Sequence, residues 1–359
     1  MDDDQPRSRE RRLSGYAAVS TSLALRGDHE LAELLAERAV PLGSGIGGTS
    51  ALLEVEGTPV FVKRVTLTDL ERQPVHARST ANVFGLPPFC QYGIGSPGFG
   101  AWRELAAHTM TTDWVLSGQF TGFPLMYHWR VLPQPAPALP EELADEERTV
   151  AYWGGGEEVR RRLHALRTSS ASLTLFLEHF PHDLHTWLAA QVRSDGAERA
   201  CAMVDRGLRE GVTFMNARGL LHFDAHFENI LTDGHSLYFT DFGLATSSRF
   251  ALSPQESAFL RVHASYDRTY TMSQFVGWLA WALHTTDTDE RDALVRAWAD
   301  GERPGGVPAG VAAILTRYSP LAAVMRGFYR RLQRESRQAP YPLEEIRRVG
   351  ERHGLPVGV

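Results

Sequence analysis

The sequence predicts an α+β fold in two lobes, β-rich at the N-terminal side and mainly helical afterwards. Three observations predict it. At 359 residues the chain is longer than one simple hydrophobic core accommodates. The stretch "AVPLGSGIGGTSALLEVEGTPVFVKRV" (39–65) reads as three strands joined by two turns. From about residue 198 helical periodicity dominates instead, and strands followed by helices are the pattern of an α+β chain. No internal repeat is visible.

Composition narrows the function classes. A hydrophobic content of 43% and a charged content of 22% are those of an ordinary globular protein. The net charge of −6 gives no general attraction for nucleic acid or anionic lipid, so neither is expected as a partner. Cys90 and Cys201 are too few and too far apart for a disulfide framework or a cysteine zinc site. The opening "MDDDQPRSRERRL" lacks the apolar stretch of a secretory leader. "FVGWLAWAL" (275–283) is too short to span a bilayer. A cytoplasmic enzyme or binding protein is the expectation.

Residues 1–27 are polar and patternless, and a flexible tail is expected there. The N-terminal lobe is expected over 28–178, beginning with Asp28 as the N-cap of a short helix that carries Leu31, Leu34 and Leu35 on one face. The three strands follow, with a tight turn at Glu56 to Thr58 and Lys63 near the end of the third. Residues 66–100, rich in Gly and Pro, form a first irregular insertion. A helix is expected around "GAWRELAAHTM", with Trp102, Leu105, Ala106 and Thr109 near one face. "FPLMYHWRVLP" (123–133) has strand character. A second insertion, 133–170, opens on the exposed connector "PQPAPALPEELADEE" and closes on the helix "EEVRRRLHALR" (157–167). That helix has acids first and bases last, which suits its dipole. "ASLTLFLEHF" reads as a buried strand leading to a helix start in "PHDLHTWLAAQ", and the C-terminal lobe is expected over 179–359.

Four pieces carry chemistry. Gly43, Gly45 and Gly48 satisfy G-x-G-x-x-G, but a strand follows rather than the helix of a dinucleotide site. A glycine-rich hairpin lets backbone N–H groups approach phosphate oxygens closely. Lys63, fifteen residues beyond Gly48, brings a strand ammonium beside that turn. "HFDAHFENIL" (222–231) sets Asp224 five residues before Asn229, and Asp241 opens "DFG". Phosphoryl transfer needs a carboxylate for the attacking hydroxyl, and a carboxylate with a carbonyl-type oxygen for Mg²⁺. Asp224, Asp241 and Asn229 are groups of those kinds.

Taken in this order, the four pieces resemble the protein-kinase-like superfamily over about residues 37–285. The resemblance implies a bilobal kinase-like fold and an ATP-dependent phosphotransferase. Gly43, Gly45 and Gly48 would cover the nucleotide phosphates, and Lys63 would pair with the α- and β-phosphates. Asp224 would be the catalytic base, while Asn229 and Asp241 would bind Mg²⁺. The backbone of "LFLEHF", including Glu178 and Phe180, would receive the adenine. Glu104 is the expected partner of Lys63, with Glu157 and Glu158 as rivals.

Departures from the regulated protein kinases are informative. Phe223 stands where they have the arginine of H-R-D, so control by loop phosphorylation is not expected. His226 gives a loop similar to aminoglycoside and choline phosphotransferases, where a histidine could contact the γ-phosphate. "SPQE" (253–256) is a loose A-P-E. Met272 occupies the place of an anchoring aspartate, for which Asp267 is the substitute. His179, His182 and His185 are read as ordinary polar residues, and Trp278 and Trp281 as core. The expected acceptor is a Ser or Thr hydroxyl of a protein or peptide. A small hydroxylated molecule is the alternative, and a pseudokinase binding module the third reading.

Overall fold

In chain order the helices are α1 (Arg9–Ala24), α2 (Asp28–Arg38), α3 (Asp69–Arg72), α4 (Ala101–Leu116), α5 (Glu141–Ala144), α6 (Glu146–Tyr152), α7 (Glu157–Arg167), α8 (Leu184–Gln191), α9 (Ala197–Ala217), α10 (Pro254–Val262), α11 (Tyr266–Leu283), α12 (Thr288–Ala299), α13 (Ala309–Arg334) and α14 (Leu343–His353). The strands are β1 (Val40–Gly45), β2 (Gly48–Val55), β3 (Thr58–Leu67), β4 (Met126–Pro133), β5 (Ala171–Glu178), β6 (His182–Asp183), β7 (Leu220–Leu221), β8 (Ile230–Thr232), β9 (Leu237–Phe239) and β10 (Thr246–Ser247). These elements come from a computed structural model that describes residues 8–93 and 95–357. The protein is α+β: two helices precede the first strand, the five longest strands lie between residues 40 and 178, and helices dominate the second half.

The chain divides into two compact units. One holds described residues 8–180 and 240–257, and the other residues 181–239 and 258–357. The segment after Thr240 therefore belongs with the strand-rich unit, and the first division falls after 180.

The strand-rich unit is built on an antiparallel sheet of five strands in the order β1-β2-β3-β5-β4. Glu56 and Gly57, both with positive φ, form the tight turn between β2 and β3 that "EGT" predicts. All eight residues of β5 are buried, as befits a strand covered on both faces. Leu173, Leu175 and Leu177 pack with Trp102 and Leu105 of α4 and with Met126, so α4 lies against the sheet by its apolar face. Thr109, expected on that face, is exposed.

Three expectations are corrected here. Residues 9–24 form a helix rather than a flexible tail, capped by Ser8, whose side chain accepts the Arg11 N–H; residues 1–7 lie outside the described residues. Arg12, Tyr16, Val19 and Leu23 recur at helical spacing, and Val19 and Leu23 are fully buried. At α2 the N-cap is Gly27, with Asp28 in the first turn, and the Glu30 carboxylate accepts the Gly27 N–H. Leu31, Leu34 and Leu35 are buried as anticipated. Finally, the two insertions are not loose connectors. Phe84, Leu86, Cys90 and Phe99 from the first pack with Leu143, Val150, Trp153, Val159 and Leu163 from the second in one shared cluster.

In the helical unit, α9 buries Ala200, Cys201, Val204, Leu208, Val212 and Met215, a stripe at i, i+3 and i+4 spacing. A small sheet, β6-β8-β9, frames the segment from Leu220 to Phe239. His182 lies in β6 and His185 in α8, so the histidine spacing of three does not make one helix face. Among the described residues no group of three or more His, Cys, Asp or Glu side chains is arranged to hold a metal.

Candidate active site

In the strand-rich unit the chemistry converges on Lys63. It sits in central strand β3, opposite Ser50 of β2 and Leu175 of β5. Its Nζ donates to Glu104 Oε1 at 2.7 Å and to Asp241 Oδ1 at 2.9 Å. Of the candidate glutamates, then, Glu104 is the one that pairs with Lys63. Burial by itself would lower the Lys63 pKa, but Asp241 and Glu104 together outweigh it and hold the ammonium protonated well above its ordinary range.

Helix α4 presents Glu104 because its first turn is fixed from several sides. The Ala101 N–H is donated to Glu71 Oε1 at 2.9 Å, and Trp102 Nε1 to the Glu71 carbonyl at 2.8 Å. Glu71 is held in turn by Arg162 at 2.9 Å, with both side chains buried. Arg103 reaches Glu256 at 2.6 Å and the Thr80 carbonyl at 2.8 Å. The SPQE segment is thus the start of α10: Ser253 and Glu256 hydrogen-bond reciprocally in a capping box, while Glu256 also receives Arg103.

The glycine turn closes over the same lysine. Gly45 pairs with Gly48, leaving Ile46 and Gly47 at the tip. Gly48 has φ +115°, and a Cβ there would overlap the Arg64 carbonyl oxygen. At Gly43 and Gly45 a Cβ meets nothing within 4 Å. Gly47, which the G-x-G-x-x-G pattern passes over, faces the chemistry: a Cβ there would lie 3.2 Å from Lys63 Nζ and 3.6 Å from Asp241 Oδ2. Gly48→Ala is expected to cost roughly 1–3 kcal/mol or more, because strained backbone and steric overlap coincide. Gly45→Ala should stay close to wild type. Thermal denaturation of the two variants checks the contrast, and equal melting temperatures would contradict it.

Asp241 adopts φ +58°, and Phe242 behind it packs edge-on to His108 at 5.0 Å. Of Glu178 and Phe180, expected at the adenine, Glu178 is the last residue of β5 and Phe180 lies two residues beyond it. The Glu178 carboxylate is committed to Arg12 at 2.7 Å, leaving the main chain as what this segment offers a ligand.

In the helical unit the loop 222–229 is held by one buried aspartate. Asp267, at the start of α11, accepts the His222 N–H at 2.6 Å and the Phe223 N–H at 2.9 Å. It therefore performs the anchoring expected of it in place of Met272. Burial pushes its carboxyl up to about 6, with the two N–H donors opposing. Phe223 has φ +62°, unusual for an aromatic residue, and its ring stacks on Tyr266 at 4.7 Å. Phe223 is buried within this aromatic stack.

This anchoring presents Asp224, whose side chain is 27% exposed. Asn229 Nδ2 donates to the Asp224 carbonyl at 3.0 Å and to Oδ2 at 3.2 Å, which orients both side chains. His226 Nε2 lies 3.8 Å from Asp224 Oδ2, and its Nδ1 lies 3.7 Å from Glu228. Asn229 in the helical unit and Asp241 in the strand-rich unit each carry a hard oxygen donor of the kind Mg²⁺ selects.

Sequence reading missed Gly47, Arg12, Glu71 and Arg103. Only the doubled glycine in "GSGIGG" and the 4-3-4 spacing of Arg12, Tyr16, Val19 and Leu23 offered a signal. No protein-family model matches the chain, and a search of curated proteins finds no match.

Proposed function

We propose that this chain is a Mg·ATP-dependent phosphotransferase of the protein-kinase-like superfamily, with the bilobal fold of that group. It transfers the γ-phosphate to a hydroxyl, that of Ser or Thr in a protein or peptide. The observation that carries the reading is the Lys63 ion triad. Lys63 bonds at once to Glu104, 41 positions away, and to Asp241, 178 positions away, the residues that the chemistry selects.

Each residue has a definite task. Lys63, held by Glu104, neutralises charge on the α- and β-phosphates. Gly47 and Gly48 bring backbone close to those phosphates. Asp224 accepts the proton of the acceptor hydroxyl as its oxygen bonds to the γ-phosphorus and the bond from that phosphorus to the β–γ bridging oxygen breaks. Asn229 keeps the Asp224 carboxylate oriented. Mg²⁺ arriving with the nucleotide would supply charge neutralisation on the transferring phosphoryl group, and Asp241 and Asn229 are the oxygen donors that the sequence resemblance assigns to it.

A second reading, a small-molecule hydroxyl as acceptor, is favoured by His226 lying 3.8 Å from Asp224 where protein kinases usually carry lysine. Among the described residues no helix is long and apolar enough to cross a membrane.

Mg·ATP is expected to raise the melting temperature, because a ligand at about 100 times its Kd stabilises the native state by about 2.7 kcal/mol. Labelled ATP, incubated with the chain alone and then with peptides and with hydroxylated metabolites, should give a labelled product. A thermal shift without transfer supports a binding module instead. Neither shift nor transfer would remove the phosphotransferase reading.

A further inference from the structure

Helix α1 drives one arginine into the interior of the strand-rich unit. Arg12 is 6% exposed, and its guanidinium is used on every side. Nε donates to both carboxylate oxygens of Glu178, at 2.9 and 3.1 Å, and Nη2 to Oε2 at 2.7 Å. The same Nη2 donates to the Phe123 carbonyl at 2.6 Å, and Nη1 to the Thr121 carbonyl at 2.8 Å. The guanidinium carbon also lies 5.9 Å from the centre of the Phe180 ring.

Glu178 is equally committed. Its Oε2 accepts the Leu125 N–H at 3.1 Å, and its own N–H donates to the Leu125 carbonyl at 2.8 Å. One arginine thus ties the last residue of β5 to the segment 121–125. A planar guanidinium fork fixes a carboxylate in orientation as well as distance, which a lysine ammonium cannot do.

Resting on the phosphotransferase reading above, in which the main chain of 178–180 receives the adenine, we infer that Arg12 is a positioning residue for the nucleotide. Its guanidinium is spent on Glu178, Thr121 and Phe123, so it would act on the nucleotide only through them. By fixing the Glu178 side chain it sets where the backbone of that short segment presents its N–H and C=O groups. Helix α1 is therefore part of the nucleotide site, although it lies far from every motif that identifies that site in sequence.

The test uses the full chain and ATP carrying a fluorescent label on its ribose. Arg12→Met should weaken binding about tenfold, the scale of one well-placed hydrogen bond to the adenine lost. The KM for ATP should rise with it, while kcat at saturating ATP stays near wild type. Arg12→Met also strands a buried carboxylate, so melting temperature alone says nothing about position. The double variant Arg12→Met/Glu178→Met leaves no buried charge, and it should recover the melting temperature while keeping the raised KM.

Wild-type affinity in Arg12→Met overturns the inference. So does a double variant whose KM recovers together with its melting temperature, since Arg12 would then serve stability alone. A wild-type chain that fails to bind the nucleotide overturns the phosphotransferase reading itself and this inference with it.

Discussion

Asp224→Asn should lower turnover by roughly 10²–10⁴-fold, the range expected when a positioned general base is removed. The affinity for Mg·ATP should barely change, because Asp224 is assigned to the acceptor side. The variant should also fold. The loop is held from outside by Asp267, which accepts the His222 and Phe223 N–H groups at 2.6 and 2.9 Å. An amide at 224 can still accept from Asn229 Nδ2 through its oxygen, as the carboxylate does at 3.2 Å. What the amide cannot do at neutral pH is take a proton. Steady-state turnover measured beside the Mg·ATP thermal shift separates these effects. A variant that keeps full turnover would place the base elsewhere. One that loses the thermal shift would instead mean that residue 224 serves the nucleotide.

The same loop shows how far a sequence reaches. The pairings of Lys63 with Asp241 and of Asn229 with Asp224 were legible because the proposed phosphoryl transfer would demand those functional groups in that order. Asp267 was legible as a substitute anchor because no other aspartate opens that helix. The strands and the helices at 101–116 and 157–167 followed from periodicity, a local property. What stayed hidden was long-range pairing. Arg12 meets Glu178 across 166 positions, Arg103 meets Glu256 across 153, and Glu71 meets Arg162 across 91. A buried arginine and a solvated one look alike in sequence, and the partner decides between them. The insertions illustrate the same limit, because "PQPAPALPEELADEE" is polar and proline-rich. The apolar residues that give these segments a core, Trp153, Leu163 and Phe84 among them, are scattered over both and face one another only once folded.

Long-range pairing also sets the size of the second large effect, that of Lys63→Met. Activity should fall by two orders of magnitude or more, of the order expected when a preorganised electrostatic group is removed. Stability should fall as well, and the two carboxylates that lose their cation are not equivalent. Asp241 is 38% exposed at its side chain, so water can take over its solvation. Glu104 is 2% exposed, and burial already pushes its carboxyl upward. Relief would require α4 to swing and carry Glu104 to solvent. Helix α4 is not free to do so, because Glu71 holds its first N–H and the Trp102 indole while Glu256 and Thr80 hold Arg103. The loss should therefore approach the about 3–5 kcal/mol expected for breaking a buried pair. An unlatched helix would show less than about 1 kcal/mol, the scale of an exposed pair. Lys63→Met/Glu104→Leu should recover most of the stability and none of the activity. Denaturant titration of the single and double variants, read beside turnover, tests the argument. A small loss in Lys63→Met would mean that α4 moves, and a double variant no more stable than the single would mean that Glu104 is not the group left stranded.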